Sequence, residues 1–206
     1  MNARSFWVLA AAAAVLAAVG GFWAARELDS SAPALASGTW LPQPRRLPDF
    51  QLTDHLGRPF SRHDLQGHPS LVFFGFTHCP DVCPTTLAKL AQIKKAVAIA
   101  NLQVLLFSVD PRRDTPTAMG LYVHAFDPDF IGVTGEPGAV GQVEAAFGVA
   151  AVRVDLPGGD YTMDHSAVLF LLNDKGEIAA LFTAPFDARK LAKDIGTVAP
   201  RLKSAS

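Results

Sequence analysis

The 206-residue chain has only two cysteines, Cys79 and Cys83, and three residues separate them. They follow an apolar run at 71–76 that is typical of a buried strand, and they precede a helical pattern. Because a helix N-terminus stabilises negative charge, thiolates form there more readily than in free cysteine. Two such thiolates can form a disulfide or bind one soft metal ion, and they select copper(I), with zinc as the competitor. The pair therefore predicts redox chemistry or metal binding.

A structural disulfide is the alternative explanation of the two cysteines, since exported proteins use such bridges for stability. A bridge that closes so short a loop removes little entropy from the unfolded chain, so it would stabilise the fold only weakly. The position at a strand-to-helix corner favours a functional pair.

A metal held by two thiolates often takes a third ligand, and every histidine is a candidate: His55, His63, His68, His78, His124 and His165. His165 is preferred because it lies immediately before the apolar run 167–172, whose start would lie beside the cysteines in a thioredoxin-like sheet. A loop histidine that bonds to backbone is the other interpretation of His165. His78 is a weaker candidate, because adjacent residues of an extended segment point in opposite directions. Met163 could offer a thioether, although packing explains this residue better.

The elements that must position these residues alternate along the chain. We expect buried strands at 71–76, 102–109 and 167–172, and helices at 85–100, 115–126, 139–147 and 187–198. Turn residues at 173–176 indicate that 167–172 and 177–182 pair as a hairpin. This order predicts an α/β protein with a thioredoxin-like fold, in which helices flank both faces of a mixed sheet.

Two further segments border the predicted site. Asp81, between the cysteines, is expected to cap the helix with its carboxylate, although it could instead tune the site electrostatically. Residues 109–116 end a strand and open a helix, with Thr115 as the N-cap. A structural role explains this segment, but Arg112 and Arg113 could also present charge near the cysteines.

The first 25 residues are predicted to form a membrane anchor, because no charged residue lies between Ser5 and Ala25. As a helix rising about 1.5 Å per residue, this segment would match the ~30 Å hydrocarbon thickness of a bilayer. A cleaved signal peptide is the alternative, but the small residues at 34–36 that could form its cleavage site lie far beyond the apolar segment. Arg4 and the free N-terminus favour the inside, which places the folded body outside the cytoplasm.

The rest of the chain is interpreted as an extended linker at 26–46, with prolines and small residues, and one folded domain at 47–202. The 18 basic and 19 acidic residues give a net charge of −1, so the chain offers no basic surface for nucleic acid. Sequence patterns for phosphate-binding loops, Ser-His-Asp triads and paired catalytic carboxylates are absent.

The chain resembles the Sco/SenC family of membrane-tethered copper proteins. The resemblance rests on the motifs FTHCPDVCP at 76–84, VDPRRDTP at 109–116, GVTG at 132–135, and Tyr161 followed by DHS at 164–166. It covers residues 45–200 and implies a thioredoxin-like fold, with a copper ion bound by Cys79, Cys83 and His165. It also implies a metallochaperone that delivers copper to the dinuclear centre in the copper-bearing subunit of cytochrome c oxidase.

The resemblance also guides the expected location. Because the anchor begins at residue 5 without a transit segment, we expect a single-pass protein of the bacterial inner membrane whose soluble domain faces the periplasm. A periplasmic copper donor and a thiol reductant would be further partners there, since copper binding requires reduced cysteines.

The cysteine pair is compatible with three activities. A copper chaperone exchanges ligands and transforms no bond catalytically. A thiol–disulfide oxidoreductase that reduces the cysteines of the copper site is the alternative, but the spacing is C-x-x-x-C, and His165 and Ser166 stand where thioredoxin-type enzymes carry a cis proline. A thiol peroxidase would share the segment 48–52, yet it would leave His165 without a purpose.

Overall fold

A computed structural model describes residues 13–23 and 33–203. The chain separates into two compact units, Met1–Pro33 and Ala34–Ser206. In the first unit, residues 13–23 form helix α1. Within the two described ranges, no helix has both the length and the apolar character to cross a membrane. Residues 5–12 and 24–25 of the predicted anchor lie outside the described residues, so the membrane-spanning helix stays a prediction.

The described part of the second unit is built on an eight-stranded mixed sheet. Its strands are β1 (Gly38–Arg45), β2 (Gln51–Asp54), β3 (Pro59–Ser61), β4 (Ser70–Gly75), β5 (Gln103–Ser108), β6 (Ile131–Thr134), β9 (Val168–Leu172) and β10 (Ile178–Thr183), while β7 (Ala151–Asp155) and β8 (Tyr161–His165) form a separate two-stranded hairpin. The helices are α2 (Val82–Ala96), α3 (Pro116–His124), α4 (Pro137–Phe147) and α5 (Ala188–Val198), with 3₁₀ turns at Arg62–Leu65 and Ala199–Leu202. The order across the large sheet is β1-β10-β9-β4-β5-β6-β2-β3.

The core lies on both faces of the central strand β4, which pairs in parallel with β5 and antiparallel with β9. The ring of Phe74 lies 5.1 Å from that of Phe147 in α4. The ring of its neighbour Phe73 lies 6.3 Å from that of Phe186, just before α5. Since neighbouring residues of a strand point to opposite faces, helical segments cover both sides of the sheet. The predicted thioredoxin-like α/β fold is confirmed.

The longer elements follow the sequence predictions. The predicted strands at 71–76, 102–109 and 167–172 correspond to β4, β5 and β9, and β9 pairs with β10 as the expected hairpin. The four predicted helices correspond to α2–α5, with shifted ends. Strands β2, β3, β6, β7 and β8 were not predicted, because segments of three to five residues carry too little periodicity.

The predicted linker at 26–46 is wrong in its second half, because Gly38–Arg45 form β1 and pair with β10. An edge strand tolerates prolines such as Pro42 and Pro44, since some of its N–H groups have no partner to lose. The carboxylate of Asp194 in α5 accepts hydrogen bonds from the backbone N–H and the hydroxyl of Ser37, at 2.7 and 2.6 Å, and fixes the start of this strand. The compact unit therefore begins at Ala34 rather than at residue 47.

Candidate metal centre

The two cysteines lie where β4 leads into α2, as predicted. Cys79 is half-buried in the connecting turn, whereas Cys83 is the second residue of α2 and is fully buried. Neither cysteine is in a disulfide. Gly75, the last residue of β4, leaves space for them, because a Cβ atom at this position would come within 2.9 Å of the Cys83 sulfur.

Cys79 is the more acidic of the two cysteines. Its sulfur accepts a hydrogen bond from the backbone N–H of Cys83 at 3.4 Å. The hydrogen bond from the Cys83 thiol lowers the pKa of Cys79 to about 5 against the opposing effect of burial, with help from the backbone N–H groups of Cys83 and Asp81. Cys79 is therefore a thiolate at neutral pH, as expected at a helix N-terminus.

The Cys83 thiol is held in its protonated form. Its hydrogen bond to Cys79 and its burial both raise the pKa of Cys83 far above the usual value. Binding of a metal ion by both sulfurs would therefore release a proton, and the affinity for the ion would rise with pH.

Asp81 occupies the N-cap position of α2, but its carboxylate makes no capping hydrogen bond. The carboxylate instead accepts a hydrogen bond from the Thr85 hydroxyl at 3.3 Å. The predicted cap by Asp81 is therefore wrong. The Cys79 sulfur accepts the first-turn N–H of Cys83 in place of a carboxylate oxygen, so the start of the helix and the thiolate stabilise each other.

His165 is the last residue of β8, and its Nε2 lies 3.8 Å from the Cys83 sulfur. Its Nδ1 lies 3.3 Å from the carbonyl oxygen of Ser166, which can only accept a hydrogen bond. A hydrogen bond here uses a proton on Nδ1, and Nε2 is the ring nitrogen that faces the sulfur. The rings of Phe73 and Phe76 lie edge-on to the imidazole, at 6.1 and 6.0 Å. His165 thus lies close to Cys83, as predicted. It also contacts the backbone carbonyl of Ser166, as the alternative interpretation expected.

A cleft of about 200 Å³ lies between the cysteine turn and β8. Its lining includes Cys79, Val82, Met163 and His165. Met163 also packs against the core, in agreement with the packing interpretation. Across residues 13–23 and 33–203, no three His, Cys, Asp or Glu side chains already have the spacing of a metal site. Binding of a metal ion by the two sulfurs and the imidazole would therefore require their side chains to move closer together.

The sequence of this chain matches a known protein family. A sequence model of the SCO1/SenC family matches residues 41–199. The chain belongs to the SCO1/SenC family. It is 41% identical over 133 residues to the mitochondrial SCO2 homologue of Danio rerio, an alignment that covers 62% of this chain and about half, 48%, of that protein. It is 35% identical over 146 residues to an SCO2-like protein of Rickettsia prowazekii, covering 69% of this chain and 71% of the relative.

Solved structures of the SCO1/SenC family share the fold. ScoI of Arabidopsis thaliana with copper bound superposes with a TM-score of 0.70 at 31% identity, over 75% of this chain and 98% of that one. ScoI of Bradyrhizobium japonicum with copper bound gives a TM-score of 0.66 at 36% identity, over 76% of this chain and 98% of the other.

The SCO1/SenC motif at 109–116 supports the cysteine turn through Asp114, a role that the sequence analysis missed. Asp114 is fully buried, and burial raises its pKa. It accepts hydrogen bonds of 2.6 Å from the hydroxyls of Thr77 and Ser108, and a further one from the backbone N–H of Thr77. These bonds join the residues before Cys79 to the end of β5. The sequence signal for this role was an acidic residue, Asp114, between a predicted strand and a predicted helix. The start of the helix was the only role considered for it.

The rest of this SCO1/SenC motif forms a second cluster. Thr115 caps α3, as predicted, by accepting a backbone N–H at 3.2 Å. Arg112 is exposed. Arg113 pairs with Asp110 and donates to the backbone carbonyl of Tyr161. The expectation that Arg113 presents charge to the cysteines is therefore wrong, because other partners hold its guanidinium.

The remaining histidines of this SCO1/SenC chain contribute no side chain to the cleft. His55 and His124 contact each other with ring centroids 4.8 Å apart. His78 is exposed. His63 and His68 line a different cleft. These positions agree with their interpretation as surface or structural histidines.

Proposed function

We propose that this chain binds one copper(I) ion through Cys79, Cys83 and His165 and delivers it to the copper-bearing subunit of cytochrome c oxidase. The observation that carries the proposal is the 3.8 Å separation of Cys83 Sγ and His165 Nε2. Two ligands of one ion, at metal–ligand bond lengths of about 2.0–2.3 Å, lie no more than about 4 Å apart. The space between the two side chains therefore fits a shared ion.

The donor chemistry supports copper. Cys79 supplies a thiolate at neutral pH, because its pKa is about 5. The Nε2 atom of His165 faces Cys83. Thiolates and imidazole suit copper(I), a soft ion, better than carboxylate-binding ions. The copper bound in the structures of the relatives from Arabidopsis thaliana and Bradyrhizobium japonicum supports the same ion.

Transfer of the ion would proceed from the Cys79 side of the cleft. Cys83 is fully buried, whereas Cys79 is half-buried and Val82 beside it is 46% exposed. Thiolates of a partner could reach the ion there and replace Cys79 before the deeper ligands. Stepwise ligand exchange of this kind changes no covalent bond, which makes the protein a metallochaperone rather than an enzyme.

Competition for copper(I) tests the metal site. The reduced full chain in detergent, titrated with copper(I) against a chelator, is expected to hold one ion. His165→Ala should weaken binding by more than the roughly 10- to 100-fold typical of groups that only contact a ligand. His78→Ala is the matched control, because His78 is exposed and lies beside Cys79, and it should retain full affinity. Equal affinity of the two variants would contradict the proposed ligand set.

Copper delivery needs a separate measurement. The loaded chain, mixed with the purified metal-free oxidase subunit and then treated with a one-electron oxidant because copper(I) itself is colourless, should generate the absorption of a dinuclear copper centre, and the His165→Ala variant should not. An unchanged spectrum with the loaded, unsubstituted chain would refute delivery to this partner while leaving copper binding intact.

A thiol–disulfide oxidoreductase is the second candidate, favoured by the unequal acidity of the cysteines. The Cys79 thiolate would attack a partner disulfide, and Cys83 would then resolve the mixed disulfide. The products would be two partner thiols and a Cys79–Cys83 disulfide. This activity does not need the imidazole, so His165→Ala should lose copper binding and keep exchange with a small disulfide. Loss of exchange in the same proportion would count against separate roles.

We also propose that the N-terminal segment tethers the domain to the periplasmic face of a bacterial inner membrane. Its support is the uncharged segment 5–25 preceded by Arg4. A C-terminal fusion to an enzyme that is active only in the periplasm should be active and should sediment with membranes. Activity in the soluble fraction would contradict the tether, and an inactive fusion would contradict the orientation.

A further inference from the structure

The hairpin β7–β8 forms one wall of the candidate metal cleft, because Met163 and His165 line it. The two strands pair with each other along their whole length. In the part of the chain that the structure describes, neither strand pairs with the eight-stranded sheet. Side-chain contacts, together with the short chain connections to α4 and β9, therefore set how the hairpin lies against the cysteine turn.

Three hydrogen bonds join the start of β8 to the segment that follows β5. The hydroxyl of Tyr161 donates to Oδ1 of Asp110 at 2.9 Å. Nη1 of Arg113 donates to the carbonyl oxygen of Tyr161 at 2.9 Å and to Oδ1 of Asp160 at 3.4 Å. A salt bridge between Arg113 and Asp110 completes the cluster.

Burial and stacking strengthen this cluster. Asp110 is 2% exposed, and the guanidinium of Arg113 lies 3.7 Å from the centroid of the Tyr161 ring. Burial and the hydrogen bond to Asp110 raise the pKa of Tyr161, so its hydroxyl stays a donor in the neutral range. Charge-assisted hydrogen bonds are stronger than neutral ones, particularly where water is excluded.

The cluster lies on the face of β8 that also carries His165. Tyr161, Met163 and His165 alternate along the strand, so their side chains share one face. About 13 Å of strand separates Tyr161 from His165, since each residue rises about 3.3 Å. Rotation of β8 about its axis would turn the imidazole away from Cys83. An anchored Tyr161 prevents that rotation.

We propose that Asp110, Arg113 and Tyr161 form a latch that holds β8 with His165 turned toward Cys83. They are positioning residues that act on the metal site through the strand. The copper part of this inference rests on the proposed function, whereas the effect of the latch on the hairpin is measurable without metal.

Hydrogen exchange of the metal-free full chain is the first test. Tyr161→Phe keeps the ring and the stack but removes the hydroxyl that donates to Asp110. Backbone amides of residues 151–165 should then exchange roughly tenfold faster. Arg153→Ala is the matched control, because Arg153 stacks on the same ring at 4.0 Å but forms its salt bridge with Asp155 inside the hairpin. It should change exchange less than about twofold.

Copper(I) competition then tests the link to His165. Tyr161→Phe should weaken binding roughly tenfold, the range of groups that orient a metal ligand. In a His165→Ala background it should cause no further loss, because the latch acts through that side chain. A purely structural effect of Tyr161 would instead add to the loss from His165→Ala.

Each outcome decides one part of the inference. Unchanged amide exchange in Tyr161→Phe, or equal acceleration in Arg153→Ala, would overturn the latch. Additive copper losses would overturn its action through His165. If the unsubstituted chain binds no copper, the proposed function fails, and amide exchange still decides the latch. Arg113→Lys, which keeps the charge and loses the stacked guanidinium, replaces Tyr161→Phe should that variant fail to fold.

Discussion

The cysteine turn and the hairpin β7–β8 face each other across one cleft, but different interactions hold them. Cys83 belongs to α2, which follows a strand paired on both sides, and the turn before it is bound to the buried Asp114. The described strands of the hairpin pair only with each other, and Asp110 and Arg113 bind Tyr161, the first residue of β8. A sheet distributes its hydrogen bonds over many residues, whereas a cluster of three side chains depends on each member. We infer that the cysteines are the fixed half of the site and His165 the adjustable half.

This difference suits the proposed function, in which the protein both holds and releases an ion. Ligands that are fixed before binding cost little entropy when they bind, which favours retention. A ligand on a hairpin held by few contacts can move away without disruption of the main sheet. The ion would then leave on the exposed side of Cys79, and release of the imidazole would follow once the latch no longer holds β8.

The largest expected effect concerns the acidity of the cysteine turn. Cys83→Ala removes the thiol hydrogen bond that is the first cause of the low pKa of Cys79. The absorbance of the Cys79 thiolate should titrate with a midpoint near pH 5 in the unsubstituted metal-free chain. In Cys83→Ala, this midpoint should rise toward the free-cysteine value of about 8.5. Tyr161→Phe should leave the midpoint near 5, since it alters only the hairpin. If Tyr161→Phe shifted this midpoint and Cys83→Ala did not, the acidity of Cys79 would depend on the hairpin. The two halves of the site would then not be held independently.

Packing of the cysteine turn should give the next largest effect. Gly75→Ala places a Cβ atom 2.9 Å from the Cys83 sulfur and 3.1 Å from Leu106. We expect the free energy of unfolding to fall by about 1–3 kcal/mol, the usual cost of overpacking a core. Gly141→Ala in α4 is the control, because no atom lies within 4 Å of its added Cβ and alanine favours helix. Chemical denaturation measures both, and equal stability of the two variants would show that the cysteine turn is not tightly packed.

The smallest expected effect is on the pH dependence of stability, and it comes from Glu144 beside the hairpin. Glu144 of α4 borders a cleft with Arg153, Tyr161 and Met163, and burial raises its pKa to about 7. Because the unfolded chain loses this proton at lower pH, the free energy of unfolding should fall as pH rises from about 4.5 to 7. We expect a loss of roughly 1 kcal/mol, since water screens a half-exposed carboxyl.

Glu144→Gln should abolish this dependence. The variant should match the unsubstituted chain at pH 4 and exceed its stability at pH 8, as measured by urea denaturation at both values. A stability difference that is the same at both pH values would assign the effect of Glu144 to packing rather than to its proton.

The sequence predicted the regions where local pattern and tertiary environment agree. The buried strands β4, β5 and β9 are continuous apolar runs, and α2–α5 show helical periodicity. The linker prediction failed at Gly38–Arg45, because prolines look like a linker pattern unless the partner strand β10 is known. The hairpin β7–β8 was not predicted for a related reason. The valines of β7 are exposed, and the inward face of β8 carries Tyr161, Met163 and His165, so neither five-residue strand shows the apolar alternation typical of a core strand.

By itself, the sequence determined which donor atoms are available and where they occur relative to strand and helix. Two cysteines at a strand-to-helix corner, and a histidine just before the third buried strand, are local facts of order and spacing. Only the tertiary structure decided that Nε2 of His165 meets the sulfur of Cys83 across 82 residues of chain. It also decided that a sulfur rather than Asp81 accepts the helix N–H, and that Arg113 binds Tyr161 rather than the cysteines. Such choices depend on burial and on competition between partners distant in the chain, which spacing does not encode.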